Sequence, residues 1–276
     1  MKIAVHQMCS GTEPAANAAK MVDAIAQAAA ANAGIYFAPE MSIMLDRDRA
    51  RARTRITSEQ ETPAVQLLQK VAAERAIWIH LGSLPVLHEG GDGRLANRSL
   101  VIDDAGSIRA RYDKMHLFDV DLSTGESWRE SSAYVPGYGP VIADTPIGQL
   151  GLTICYDMRF PDLYSVLSKA GVNALAVPAA FTVPTGEAHW HTLLRARAIE
   201  AEAFVIAAAQ SGTHEDGRQT YGHSLVVDPW GEVLLDMGVD EGLGFAELDL
   251  HRLQEVRAQI PVHANRRDIP SEVTRY

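Results

Sequence analysis

The residue in this sequence best placed for chemistry is a cysteine where a buried strand meets a helix start. Gly151–Cys155 has the apolar character of a strand, and the chain then leads to Pro161, which favours the first turn of a helix. A thiol at such a corner lies beside backbone N–H groups whose field favours the thiolate. Cys155 is therefore a candidate nucleophile, although an inert buried cysteine would fit the same pattern. No comparable turn follows Cys9, which we interpret as structural.

A thiol nucleophile needs a base and a group that stabilises the oxyanion formed during acyl transfer. The histidines leave the choice of base open, and the candidates are His116, His189, His191 and His223. Two charged residues also follow apolar strands, Glu40 after Phe37-Ala38-Pro39 and Lys114 after a hairpin strand. Partial desolvation would raise the pKa of a carboxylate such as Glu40 toward a useful basic range. Taken singly, each of these residues would also fit an exposed surface position.

The spacing of ligand-type residues does not indicate a metal site. His189 and His191 are two positions apart on a predicted helix, so they point to different faces. The sequence has neither an H-E-x-x-H pattern nor paired C-x-x-C spacing. We therefore expect neither a metal nor an organic cofactor.

Strands and helices alternate in the part of the chain that must position Glu40 and Lys114. The predicted elements are a strand at Lys2–Met8, a helix from Pro14 to Ala31, a strand at Ile35–Ala38, a helix from Pro63 to Arg75 and a strand at Ile77–Leu81. Ser99–Ile102 and Ile108–Tyr112 then flank Asp103–Gly106, which predicts a hairpin. This alternation is typical of the α/β class.

The second half of the chain repeats this pattern. Ser224–Val233 resembles Ser99–Ile108, and the predicted helix Ala188–Glu202 precedes an apolar strand as Pro63–Arg75 does. A chance recurrence of common hairpin residues is the alternative. Two similar halves, each with a sheet that must bury an apolar face, predict a four-layer αββα sandwich of two face-to-face mixed sheets with outer helices. No linker divides the chain, so we expect a single domain over residues 1–276.

The composition excludes several function classes. The 276 residues are 47% hydrophobic and 22% charged, which is ordinary for a globular protein and excludes a disordered or fibrous chain. A net charge of −10 disfavours binding to nucleic acid or to anionic membranes. Two widely separated cysteines and no evident signal peptide predict a cytoplasmic protein without disulfides. Alternating arginines at positions 47–55 are interpreted as a solvated surface segment, with a basic lid for an anionic substrate as the alternative.

Three local motifs together resemble the nitrilase superfamily of carbon–nitrogen hydrolases. They are Phe37-Ala38-Pro39-Glu40, Tyr112-Asp113-Lys114-Met115-His116-Leu117 and Gly151–Pro161. The resemblance implies a triad of Glu40 as general base, Lys114 and the nucleophile Cys155, with Glu130 as the family's second glutamate. It also implies a homodimer or higher homo-oligomer.

Within the superfamily, the sequence is most similar to the branch that contains deaminated glutathione amidase. The similar segments are His116–Val120, Cys155–Pro161, Ala188–Trp190, Leu193–Glu200 and Tyr221–Gly231. The resemblance implies a cysteine-dependent amidase that converts a terminal carboxamide of a small carboxylate substrate to acid and ammonia through a thioester.

Four residues are expected to contact the substrate. The backbone N–H of Tyr156 would stabilise the oxyanion together with Lys114, and Arg159 would bind a substrate carboxylate, ahead of Arg195 or Arg197. Phe181 and Thr182 would line the pocket.

Other activities remain open at this point. They are an ω-amidase acting on α-ketoglutaramate-type substrates, an N-carbamoyl amino acid amidohydrolase, a nitrile hydrolase, and a catalytically silent partner protein with the same fold.

Overall fold

A computed structural model of the chain describes residues 1–90, 93–121, 125, 127–270 and 272–275. The helices in these residues are α1 (Pro14–Ala30), α2 (Arg49–Arg53), α3 (Pro63–Arg75), α4 (Pro161–Lys169), α5 (Val183–Ala201), α6 (Leu250–Gln259) and α7 (Val262–Asn265). Proline occupies the first turn of α1, α3, α4 and α5, where its missing N–H costs no helical hydrogen bond. None of the helices within these ranges is long and apolar enough to cross a membrane.

The first large sheet is built mainly from the N-terminal half of the chain. Its strands are β1 (Lys2–Gln7), β2 (Ile35–Phe37), β3 (Trp78–His80), β4 (Leu84–Leu87), β5 (Leu95–Ile102), β6 (Ile108–Asp113) and β17 (Gly242–Glu247). The β1, β2 and β3 strands are parallel, and β5 forms an antiparallel hairpin with β6.

The second large sheet repeats that arrangement with later residues. Its strands are β9 (Val141–Thr145), β10 (Gly148–Leu152), β11 (Ala174–Ala176), β12 (Phe204–Ala207), β15 (Leu225–Val227) and β16 (Val233–Asp236). The β10, β11 and β12 strands are parallel, and β15 forms an antiparallel hairpin with β16. Two short ribbons complete the strands of the described ranges, β7 (Asp119–Asp121) with β8 (Ser127–Arg129) and β13 (Ser211–Thr213) with β14 (Gln219–Tyr221).

The two hairpin turns use the same side-chain contact. Asp103 Oδ1 accepts hydrogen bonds from the amides of Ala105 and Ser107, and Asp228 Oδ1 accepts them from Trp230 and Glu232. Aspartate favours such turns because its side chain bonds the backbone two residues ahead. The predicted internal repeat is therefore confirmed at the level of individual contacts.

Successive side chains along the strands of the first sheet pack into two different hydrophobic clusters. Ile3 and Ile35 belong to a cluster that also contains Leu152 of the second sheet, whereas Ala4 and Tyr36 belong to a cluster with residues of α1 and α3. Successive residues of a strand point to opposite faces, so one face of the sheet meets the second sheet and the other meets helices. The predicted αββα sandwich is confirmed.

Some element boundaries differ from the sequence-based expectation. The helix predicted to begin at Ala188 begins at Val183, because Pro184 occupies its first turn. The strand predicted to reach Cys155 ends at Leu152. The arginine-rich segment contains α2, where Asp48 caps the helix and Arg51 pairs with Asp46. These contacts favour the interpretation as a surface segment.

Candidate active site

Three side chains predicted to act together converge in the structure. Lys114 Nζ lies 2.9 Å from Glu40 Oε1, and the Cys155 thiol interacts with the Glu40 carboxylate. All three residues are buried. Their positions come from both sheets, since Glu40 follows β2, Lys114 follows β6 and Cys155 follows β10.

Glu40 is held by hydrogen-bond donors from both sheets. Its Oε1 accepts from Lys114 and from Asn97 Nδ2 at 3.0 Å, and its Oε2 accepts from the backbone amide of Ala180 at 2.9 Å. Ala180 follows β11 of the second sheet, so the carboxylate bridges the two sheets. Fixed donors on both oxygens leave little freedom for the carboxylate to rotate.

Glu130 forms a second carboxylate contact with Lys114. Its Oε2 lies 2.9 Å from Lys114 Nζ and also accepts from the backbone amide of Phe118 at 2.7 Å. Asn97 Nδ2 lies 3.3 Å from Glu130 Oε1, so this amide contacts both carboxylates that flank the ammonium. Sequence reasoning missed Asn97. Its position in the apolar strand β5, where it is almost fully buried, is the signal that could have indicated it.

The backbone at Cys155 adopts a conformation that is rare for a residue with a side chain. Its φ is +47°, in the left-handed region, and its N–H donates to Pro178 O at 2.9 Å. A 3-10 helix spans Cys155–Arg159 before α4 begins at Pro161. Strain of this kind is found at functional sites, where it aims a side chain into the pocket.

Burial and charge set the protonation states of the site. Burial alone would raise the pKa of Glu40, but the charge and hydrogen bond of Lys114 leave it below its usual value. Burial would lower the pKa of Lys114, but Glu130 and Glu40 hold it well above its usual value. Burial raises the pKa of the Cys155 thiol, and the negative charge of Glu40 raises it further. The expectation that a helix start would favour the thiolate was wrong, because these two effects outweigh it.

A buried aspartate ties the lysine segment to the cysteine turn. Asp157 accepts from Tyr112 OH at 2.6 Å, from His116 Nδ1 at 2.7 Å and from the backbone amide of Ile154 at 2.8 Å. Asp157 therefore links Tyr112 and His116, which lie on either side of Lys114 in the chain, to Ile154, which precedes Cys155. Sequence reasoning also missed this role.

The residues expected to bind substrate lie beside this centre. Phe181 and Thr182 directly follow Ala180, whose amide bonds Glu40. The Arg159 guanidinium lies 5.2 Å from the centre of the Phe181 ring and within 3.3 Å of His189 Nδ1. The half-buried Tyr156 is the second residue of the 3-10 helix, in its first turn, where N–H groups have no intrahelical acceptor.

The two other arginines considered for the substrate carboxylate have hydrogen-bond partners within the protein. Arg195 donates to Gly231 O, and the buried Arg197 donates to Met158 O and pairs with Glu200. These contacts favour Arg159 as the first candidate, and Arg195 and Arg197 stay the alternatives.

The histidines considered as bases have other partners. His116 bonds Asp157, His189 contacts Arg159, and His191 and His223 both bond Asp236. The geometry instead places the Glu40 carboxylate against the thiol.

Known proteins share this architecture. The profile of the carbon–nitrogen hydrolases matches residues 2–258. Deaminated glutathione amidase of Yersinia enterocolitica is 38% identical over 276 residues, which are 99% of this chain and 95% of the relative.

Two solved structures are similar over most of the chain. The NitFhit protein of C. elegans has a TM-score of 0.89 at 37% identity and covers 96% of this chain, while this chain covers 65% of it. A mutant of the amidase from Nesterenkonia sp. AN1 has a TM-score of 0.78 at 28% identity, over 96% of this chain and 99% of that one. That mutant shows the result of Michael addition of acrylamide at its active-site cysteine. The profile match and the Yersinia relative together show that this chain belongs to the carbon–nitrogen hydrolase family, whose members act on carbon–nitrogen bonds.

Proposed function

We propose that the chain is an amidase in which Cys155 is the nucleophile, Glu40 the general base, and Lys114 an oxyanion donor. The observation that carries the proposal is the buried contact of Glu40 with both the thiol and the ammonium. A thiol with a raised pKa is neutral near pH 7, so it must lose its proton as it attacks. Glu40, whose pKa is lowered, is ionised and able to accept that proton.

The reaction proceeds through a thioester. Cys155 Sγ bonds the amide carbonyl carbon while its proton passes to Glu40, and the resulting oxyanion is stabilised by Lys114 and the Tyr156 amide. The C–N bond then breaks, and Glu40 returns the proton to the departing nitrogen. Water attacks the thioester, Glu40 accepts its proton, and the carboxylic acid leaves as the thiol is restored. Glu130 keeps Lys114 charged and oriented.

The substrate is proposed to be a small amide that carries a carboxylate, with deaminated glutathione as the first candidate. Curated relatives of this name support it, since they are 38% and 39% identical over nearly the whole chain. The half-buried Arg159, which lies on Phe181 beside the site, supplies a cation for the carboxylate. A primary amide would release ammonia, whereas the secondary amide of deaminated glutathione would release an amine.

A substrate panel tests this proposal. Purified protein is incubated with deaminated glutathione, glutathione, α-ketoglutaramate, an N-carbamoyl amino acid and a nitrile, and released amine and ammonia are both measured. We expect the highest kcat/KM for deaminated glutathione and no turnover by the Cys155→Ala variant. A preference for α-ketoglutaramate or the carbamoyl compound would contradict the substrate assignment, and no turnover of any substrate would support a silent partner protein.

We also propose that residues 1–276 form one nitrilase-like domain that acts as a homodimer or higher homo-oligomer in the cytoplasm. The profile match over residues 2–258 supports the single domain. Both cysteines are free thiols, as the proposed chemistry and a reducing compartment require. Cell fractionation with an antibody against the chain would test the location.

A further inference from the structure

A second cluster of chemically capable side chains lies apart from Glu40, Lys114 and Cys155. It joins His191 on α5, His223 between β14 and β15, and Asp236 at the end of β16. His191 Nε2 is 2.9 Å from Asp236 Oδ2, and His223 Nδ1 is 2.9 Å from Asp236 Oδ1. All three donor atoms lie within 4.8 Å of one another. No step of the proposed amide hydrolysis uses them.

Backbone contacts hold the cluster in place. His223 has a φ of +54°, its N–H donates to Gly238 O, and its carbonyl accepts from Trp190 Nε1 at 2.8 Å. The Gly238 amide donates to Asp236 Oδ1 at 2.9 Å. Trp190 is fully buried and directly precedes His191, so the core positions both histidines through one side chain. A donor set arranged in advance loses less conformational freedom when it binds a ligand.

We propose that His191, His223 and Asp236 bind one divalent transition-metal ion, with Zn²⁺ as the physiological candidate. Two imidazole nitrogens and one carboxylate oxygen form a donor set that suits zinc, and sites with three protein ligands keep a fourth position for water. The side chains of His191, His223 and Asp236 are 36%, 23% and 33% exposed, which leaves room for that water.

The distances require only small side-chain movements. Zinc–ligand bonds of about 2.0–2.2 Å in a tetrahedron place neighbouring donor atoms roughly 3.3 Å apart. Each imidazole nitrogen lies 2.9 Å from a different oxygen of Asp236, so only one of these contacts joins two atoms that would both bind the metal. That contact would open by a few tenths of an ångström, and the other pairs of donor atoms would close from no more than 4.8 Å. Because the three side chains are partly exposed, small rotations can supply this change.

The charges facing the cluster favour a cation. Asp236 Oδ2 faces His191, and Asp236 Oδ1 faces His223 and accepts from the Gly238 amide, so both oxygens of this acidic side chain lie at the cluster. Tyr221 stacks on His223 with 4.5 Å between ring centres, and both Asp236 and Glu187 act electrostatically on Tyr221. Without a metal, the same contacts would be only a hydrogen-bonded cluster in which each imidazole donates to Asp236.

Zinc binding by equilibrium dialysis separates these possibilities. The parent protein carries Cys9→Ala and Cys155→Ala, because thiolates also bind zinc. We expect one zinc ion per chain. Asp236→Asn and His191→Gln, which keep hydrogen-bonding groups in place, should each lower the affinity by at least about tenfold. The matched control His251→Ala, which removes an exposed histidine on α6, should bind as the parent does.

Two results would overturn the proposal. One is the lack of stoichiometric zinc binding by the parent protein, and the other is unchanged affinity in both Asp236→Asn and His191→Gln. Circular dichroism would show that the variants are folded. A melting temperature that rises with zinc in the parent, but not in the variants, provides a second readout. Because no amide substrate is used, the outcome is independent of the proposed amidase activity.

Discussion

The protonation states of three residues determine how the proposed nucleophile works. Burial and the charge of Glu40 raise the pKa of Cys155, so in the free enzyme a neutral Cys155 thiol lies beside the ionised Glu40 carboxylate. A neutral buried thiol is a weak target for oxidants and alkylating agents. Reactivity then depends on a substrate carbonyl that arrives while Glu40 accepts the proton.

Replacing Glu40 by glutamine should separate thiol ionisation from turnover. The substitution replaces a carboxylate, whose negative charge and hydrogen bond both raise the Cys155 pKa, with a neutral amide, while the Lys114 charge that lowers this pKa remains. We expect a lower apparent pKa for alkylation of Cys155 by iodoacetamide, together with a fall in kcat of about 10²–10⁴ because the base is lost. The pH dependence of alkylation is measured by mass spectrometry.

Glu74→Gln is the matched control, since Glu74 is an exposed residue on α3. Glu74→Gln should leave both the apparent pKa for alkylation of Cys155 and kcat unchanged. An unchanged or raised Cys155 pKa in Glu40→Gln would contradict the electrostatic account of the site.

Some residues of this site could be predicted from the sequence and others could not. Glu40, Lys114 and Cys155 stand in local motifs, so a pattern along the chain indicates them. Asn97 and Asp157 act through partners that are distant in sequence, and their contacts become visible only in the folded chain. The direction in which the Cys155 pKa shifts could not be predicted from the sequence either, because the shift depends on burial and on a carboxylate from the other sheet.

At the scale of elements, each residue of the centre follows the end of a strand. Glu40 and Ala180 come after the parallel strands β2 and β11, and Cys155 comes after β10. Ligand sites in parallel sheets lie beyond the carboxyl ends of the strands, where the chain is free to turn. The duplicated hairpins could be predicted because their turn residues recur in the sequence. The helix α2 was not predicted, since its run of arginines has no apolar face to indicate a helix.

A glycine beside the Glu40 segment is expected to be sensitive to substitution. Gly82 has a φ of +78°, and a Cβ added there would lie 2.0 Å from Pro39 O. Gly82→Ala should therefore lower the free energy of unfolding by more than about 1 kcal/mol, and it should lower kcat because Pro39 must move the adjacent Glu40. Urea denaturation and steady-state kinetics measure the two effects.

Gly217→Ala is the control for backbone strain alone. Gly217 has a similar φ of +82°, but a Cβ added there would meet nothing within 4 Å. It should lose stability from strain and keep its kcat. Equal losses of kcat in the two variants would show that the contact with Pro39 is unimportant.

At the scale of the whole molecule, apolar side chains remain exposed on one outer helix layer. Val166 on α4 and Ile199 on α5 are 50% and 47% exposed, and Ile199 borders a cavity of about 440 Å³ shared with Tyr164 and Val262. A second copy of the chain packed on this face would remove that apolar area from water. The proposed homodimer is therefore expected to use the α4 and α5 layer.

Introducing a charge on this layer should break the dimer. Light scattering of the wild-type chain should give twice the 30.0 kDa of one chain, and Ile199→Glu should give the mass of one chain. Leu67→Glu, at a 40% exposed position on α3 in the opposite helix layer, should remain dimeric. A wild-type chain that is monomeric at micromolar concentrations would contradict this prediction.

Trapping the acyl-enzyme tests the central claim most directly. Wild-type protein is mixed with excess substrate, quenched in acid within one turnover, digested and analysed by mass spectrometry. The mechanism predicts the mass of the acyl group on the peptide that contains Cys155, an unmodified Cys9 peptide, and no adduct or turnover in Cys155→Ala. An acyl group on Cys9, or product formation by Cys155→Ala at the wild-type rate, would contradict the account.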